Sequence, residues 1–240
     1  MPNLDVPDPP GNLPYADMEN YLNREILKAN GILISEAELM VALEVQTNIL
    51  QAAAAHTLGN MSSKAAIPIL KKLLLSSEDL VKVEAAYALA RLGVSDGKDG
   101  LVQCLDYPVD AYLFPAMAAG YLARLGDPQG FQIILTCLEV NIPAIRMLAC
   151  KQLYFFAPFE GQRDKSGTQI KVFQAFDQAL KDPEIDIQWQ ALVQLRETIS
   201  PESIIIIKKY MESTTNKQLL DKATTILQEK HMIQKEKGPA

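Results

Sequence analysis

Histidine is almost missing from this chain: 240 residues hold only two, His56 and His231. His56 is followed by Thr57 and His231 by Met232, so no His-Glu dipeptide exists. Two isolated histidines offer no ligand set, so neither a metal nor any other cofactor is expected. Cysteine is also scarce. Cys104, Cys137 and Cys150 lack Cys-x-x-Cys spacing and sit among apolar neighbours. They read as reduced core thiols of a cytoplasmic protein, not as nucleophiles or disulfide partners. No Gly-x-Gly-x-x-Gly or Walker-type loop is present. The carboxylate pairs Glu36/Glu38 and Glu184/Asp186 are spaced as helix N-terminal charges. No catalytic residue is expected, and the chain reads as a non-enzyme.

Long apolar runs and clustered positive charge are absent too. The longest aliphatic run is Ile204–Ile207, far short of the ~18 residues that a spanning helix needs. The first residues, MPNLDVPDPPGNLP, have neither a basic segment nor an apolar one, so no signal peptide is expected. Net charge is −6, and the basic clusters Lys208-Lys209 and Lys235–Lys237 are short. Neither a nucleic acid nor a membrane is an expected partner.

What the chain does have is one helical pattern, used repeatedly. In Val81–Gly93, VKVEAAYALARLG, residues Val81, Ala85, Ala88, Leu89 and Leu92 fall on one helical face, and Gly93 follows as a C-terminal stop. Phe114–Gly126, FPAMAAGYLARLG, repeats it. Equivalent first positions are Thr47, Val81, Phe114, Ile145, Ile187 and Leu219, at steps of 34, 33, 31, 42 and 32 residues. The long step carries a loop insertion at 157–168, APFEGQRDKSGT. Shorter amphipathic helices are predicted between the long ones, at Ser63–Leu75, Gly97–Leu105, Pro128–Leu138, Thr168–Leu180 and Pro201–Met211. Asp182-Pro183 and Tyr107-Pro108 break the chain before the next long helix. Ser35–Glu38 is a capping box that predicts one helix running on to Leu58-Gly59. Residues 1–14, with five prolines, predict a flexible arm. Residues 15–233 predict a single repeat domain, and 234–240 a disordered tail.

A helical pair cannot bury its apolar stripe alone, so stacked pairs are expected to form one slab-like core. The segments Ser77–Gly93, Tyr121–Gly130 and Asp182–Leu192 resemble HEAT-like repeats, in particular the short bacterial kind named after phycobilisome lyases. The resemblance covers about Met40–Leu227. It implies an all-α fold: a right-handed α-α superhelix (an armadillo-like solenoid) of about five to six helical hairpins. The usual arginine position holds Asn48, Lys82, Pro115, Arg146, Gln188 and Leu220, so the family's Asp–Arg ladder is thinned and apolar packing must replace it.

In proteins of this kind the second helix of each hairpin lines the concave side. Its third, seventh and tenth positions lie opposite the core spine. They include Ile49, Ala53 and His56 in the first unit, then Val83, Tyr87, Gly120, Met147, Lys151, Tyr154, Trp189 and Arg196, flanked by Glu84, Arg91 and Arg124. Most are apolar, whereas a solvated face would be charged. The expected function is a scaffold or adaptor holding a protein or peptide on this face. Two alternatives stand beside it. One is a bilin lyase-like or chromophore-handling protein, with Arg91 and Arg124 near the propionates. The other is a homo-oligomeric module joined through the apolar face.

Overall fold

The computed structural model describes residues 2–10, 13–107, 112–198 and 200–236, with side chains described as far as residue 229. The expected tail falls partly outside this range, at residues 237–240, and so does Pro108. Among the described residues the protein is all-α, with no strand beyond one isolated bridge. It divides into two compact units, Met1–Gly126 and Asp127–Ala240.

The first unit begins with α1 (Tyr15–Ala29). Three helical hairpins follow: α2 (Glu36–Val45) with α3 (Asn48–Asn60), α4 (Ile67–Leu73) with α5 (Asp79–Arg91), and α6 (Ser95–Leu105) with α7 (Leu113–Arg124). The Ser35 hydroxyl accepts from the Glu38 amide, as the capping box requires. The single helix expected from there to Gly59 is instead two. Gln46 and Thr47 are extended, and Gln51 Nε2 donates to the freed Leu43 carbonyl at 2.5 Å. Three polar residues in succession, Gln46, Thr47 and Asn48, mark this corner in the sequence.

The second helices, α3, α5 and α7, form the row that carries the core. Gly59 of α3 sits so close to α5 that an added Cβ would stand 2.7 Å from the Ala88 Cα. The central helix α5 is buried almost all round. Ala85, Ala88 and Leu89 pack with α2, α3 and α4, while Val83, Ala86 and Tyr87 pack with Leu101, Ala118, Tyr121 and Leu122. The end of α5 is closed by Gly93 at φ +77, where Val94 N bonds Leu89 O and Gly93 N bonds Ala90 O.

Residues before α1 are tied to it. The Asn30 side-chain amide makes two hydrogen bonds of 2.6 Å to the Asn3 backbone, its Oδ1 accepting from Asn3 N and its Nδ2 donating to Asn3 O, and Tyr21 donates to Asp8 O at 3.4 Å. Within the segment expected as a flexible arm, Asn3 and Asp8 are thus bonded to α1 and its C-cap.

The second unit repeats the hairpin: α8 (Phe131–Glu139) with α9 (Pro143–Phe156), α10 (Val172–Ala179) with α11 (Ile185–Glu197), and α12 (Pro201–Ser213) with α13 (Lys217–Glu236). Here one rung of the thinned ladder survives. Arg146 holds Asp182 through Nε at 2.7 Å and a terminal nitrogen at 3.1 Å, and its other nitrogen donates to Val140 O. Asp182 also accepts from the Glu184 amide at the start of α11. The insertion after α9 is a compact hairpin. Gly161 N bonds Ile170 O and Ile170 N bonds Gln162 O, while Asp164 accepts from Ser166 and Thr168. The Ser166 hydroxyl and the neighbouring amides hold the Asp164 carboxyl below its ordinary value.

Gly59→Ala is expected to destabilise the protein by about 1–3 kcal/mol, because the backbone of α5 cannot yield to the new methyl. This should outweigh the ~1 kcal/mol that alanine contributes to an isolated helix. Urea unfolding, followed by circular dichroism, measures the difference.

Candidate functional site

A polar cluster is enclosed within the first unit, between α1 and the row α3–α5–α7. His56 of α3 is fully buried, and its Nδ1 lies 2.9 Å from Glu84 Oε2 on α5. The other Glu84 oxygen is 2.5 Å from the Tyr121 hydroxyl on α7. That same hydroxyl lies 2.6 Å from Glu19 Oε1, which comes from α1. The second Glu19 oxygen pairs with Arg124, whose guanidinium also donates to Ala16 O. Tyr87 stacks on Tyr121 with ring centroids 4.0 Å apart, and Arg124 covers both rings. The cluster thus reads His56, Glu84, Tyr121, Glu19, Arg124, linking four helices.

Burial, together with Glu19 and Glu84, drives the Tyr121 phenol well above its ordinary value, so it stays protonated. Burial raises Tyr87 as well, against the opposing charges of Arg124 and Arg91. Two buried polar atoms here have no hydrogen-bond partner, His56 Nε2 and the Tyr87 hydroxyl.

The expected concave face meets two fates. In the first unit it is closed. Val83, Tyr87, Gly120 and Glu84 are buried, because Val83 and Tyr87 pack into α7 and because α1 reaches across the row. Arg124 is committed to Glu19, and Arg91 is exposed. In the second unit the equivalent positions are open. Trp189 is 41% exposed and Arg196 is exposed, with Met147, Lys151 and Tyr154 half-buried. Ile185, one turn before Trp189 on α11, is 49% exposed. Lys222 of α13 stands 4.9 Å over the Trp189 ring, and Arg196 pairs with Glu229 at 2.7 Å.

Sequence reasoning placed His56 on the inner face but missed its partners. Glu84 lies 28 residues away, and Glu19 lies in a helix outside the repeat. The available signal was a lone histidine in an alanine-rich helix, AAAAHTLG, where an unpaired polar ring needs a partner.

Residues 37–114 match the family model described as HEAT repeats. Over that stretch, about a third of its length, the chain resembles HEAT repeats. No curated protein matches the sequence. Among solved structures, an engineered protein is 17% identical, with 81% of this chain and 96% of that one covered at a TM-score of 0.46. The complex of CpcE and CpcF of phycocyanin lyase from Nostoc sp. PCC7120 is 17% identical, covering 95% and 97% at a TM-score of 0.43. Human deoxyhypusine hydroxylase in complex with glycerol is 12% identical, covering 89% and 80% at 0.40. Likenesses at these values say nothing about activity or partners.

The three cysteines are buried and form no disulfide among the described residues. Burial pushes the Cys137 thiol from 9.0 up to about 11 and raises Cys104 and Cys150 as well. These thiols stay neutral in the fold while the unfolded chain ionises. Stability is therefore fully present below the unfolded value and is expected to fall as pH rises from about 8.5 towards 11. A thiol reagent at pH 8 should label the native protein slowly and label all three cysteines once it is unfolded.

Removing the bridging hydroxyl by Tyr121→Phe is expected to cost about 1–3 kcal/mol, since two carboxylates lose their shared partner. Thermal unfolding measures this loss, and α1 should become more accessible to protease.

Proposed function

We propose that the protein is a HEAT-like repeat scaffold that binds a protein or peptide along the α9–α11–α13 face of its second unit. The observation that carries this reading is the different treatment of equivalent positions. Where α1 crosses the first row, its apolar residues are satisfied inside the fold. In the second unit Ile185 and Trp189 remain exposed on α11, beside half-buried Tyr154 and Met147 on α9. An amphipathic helix or extended peptide could bury that stripe, with Lys151 and Lys222 offering positive charge at its edge. Tryptophan and tyrosine flanked by cations are the side chains that contribute most to such interfaces.

No comparable support exists for the chromophore-handling alternative. Arg124, one of its two anchors, is already paired beneath α1. Homo-oligomerisation would use the same exposed stripe, and light scattering over a dilution series separates it from a heterologous partner.

Affinity capture with the wild type beside Trp189→Ala/Tyr154→Ala tests the reading. A partner retained by the wild type and lost by the double variant, with helical content unchanged, supports it. Identical partners on both proteins would move binding away from this face. Trp189 is the single tryptophan, so its emission should also shift to the blue on addition of a captured partner.

A further inference from the structure

The cluster beneath α1 is short of positive charge. The Tyr121 hydroxyl carries one proton, yet it stands 2.5 Å from a Glu84 oxygen and 2.6 Å from a Glu19 oxygen. That proton can serve only one of the two contacts. Arg124 balances one carboxylate, through the far oxygen of Glu19. Glu84, 4% exposed, faces only the His56 ring and the phenol. A buried carboxylate with so little compensation needs a further cation.

Three side chains offer ligand atoms for it. One carboxylate oxygen each from Glu19 and Glu84 and one ring nitrogen of His56 all lie within 4.8 Å of one another. Tetrahedral ligands at ~2.1 Å from a metal stand about 3.4 Å apart, so small side-chain rotations bring this set to coordination distance. His56 is fully buried, and the ring nitrogen it turns to the carboxylates is Nδ1, 2.9 Å from Glu84 Oε2. From this convergence we infer that Glu19, His56 and Glu84 form a binding site for one divalent transition-metal cation of the zinc class. A nitrogen and two carboxylates suit zinc, cobalt or manganese better than calcium or magnesium. Tyr121 and Arg124 would hold the carboxylates from behind, as outer-shell groups do. Entry is from the α1 side, because the Glu19 side chain is 35% exposed whereas those of His56 and Glu84 are buried.

Each ligand comes from a different helix, α1, α3 or α5, so an ion there would staple α1 to the repeat row. The test uses the full chain freed of metal by chelator, then titrated with Co²⁺ and Zn²⁺. The expected result is one Co²⁺ per chain, with visible d–d absorption of a nitrogen–oxygen site and no thiolate charge-transfer band. Zn²⁺ should raise the thermal midpoint by several degrees. Glu19→Gln lies on the partly exposed helix and preserves side-chain shape, so it should fold with unchanged circular dichroism and bind at least tenfold more weakly. His56→Gln should remove the Co²⁺ spectrum. Absence of stoichiometric binding would overturn the inference, with the cluster then holding a proton instead. Binding that survives both substitutions would also overturn it, by placing the ion elsewhere, for instance at His231.

Discussion

How near two α-helices can approach determines what else this protein can contain. At Gly59 and Ala88 the backbones of α3 and α5 meet with no room for a methyl group. Alanines at 85, 86, 118 and 119 keep the rest of the row equally thin. Beside this close approach, ring side chains collect on the side that α1 covers. There Tyr87, Tyr121 and His56 gather as a ring cluster under α1. Tight packing at the centre and a polar chamber at the margin thus stand side by side in one row.

The chamber explains why α1 belongs to the unit. Its own core contribution is small, since Leu27 is its one fully buried residue. Its charged side chain does the rest: Glu19 reaches Tyr121 and Arg124 on α7, and Asn20 meets Asn60 of α3. Joining a terminal helix through charges under partial cover gives strong orientation with modest apolar area. In the second unit an Arg–Asp pair plays the comparable orienting part, with Arg146 fixing the turn that starts α11.

The repeat was legible in the sequence because packing repeats. All six long helices stand where the Thr47, Val81, Phe114, Ile145, Ile187 and Leu219 pattern put them, since each needs the same small-residue face. The corner at Gln46-Thr47 was missed although Gln46, Thr47 and Asn48 interrupt the apolar pattern there, because helical spacing resumes on both sides of it. The fate of Val83 and Tyr87 was not legible. Helical periodicity marks which residues share a side, but α5 has neighbours on both sides, and only the arrangement of α6 and α7 reveals the second. The His56–Glu84–Glu19 convergence lay beyond periodicity altogether, because it joins one residue from each of three helices.

The insertion at 157–168 fastens both of its own ends. Its two arms are bonded to each other across Gly161 and Ile170, and Glu160 accepts the Val172 and Phe173 amides that begin α10. The hairpin is therefore a bracket with a clamped base and an exposed tip, Lys165 to Gly167, from which Lys165 reaches back to Asp127 and Gln129. Extra length at that tip is absorbed before it reaches α9 or α10. The repeat lattice can thus change length between two hairpins without losing register, which makes this turn a natural place for the chain to accept new sequence.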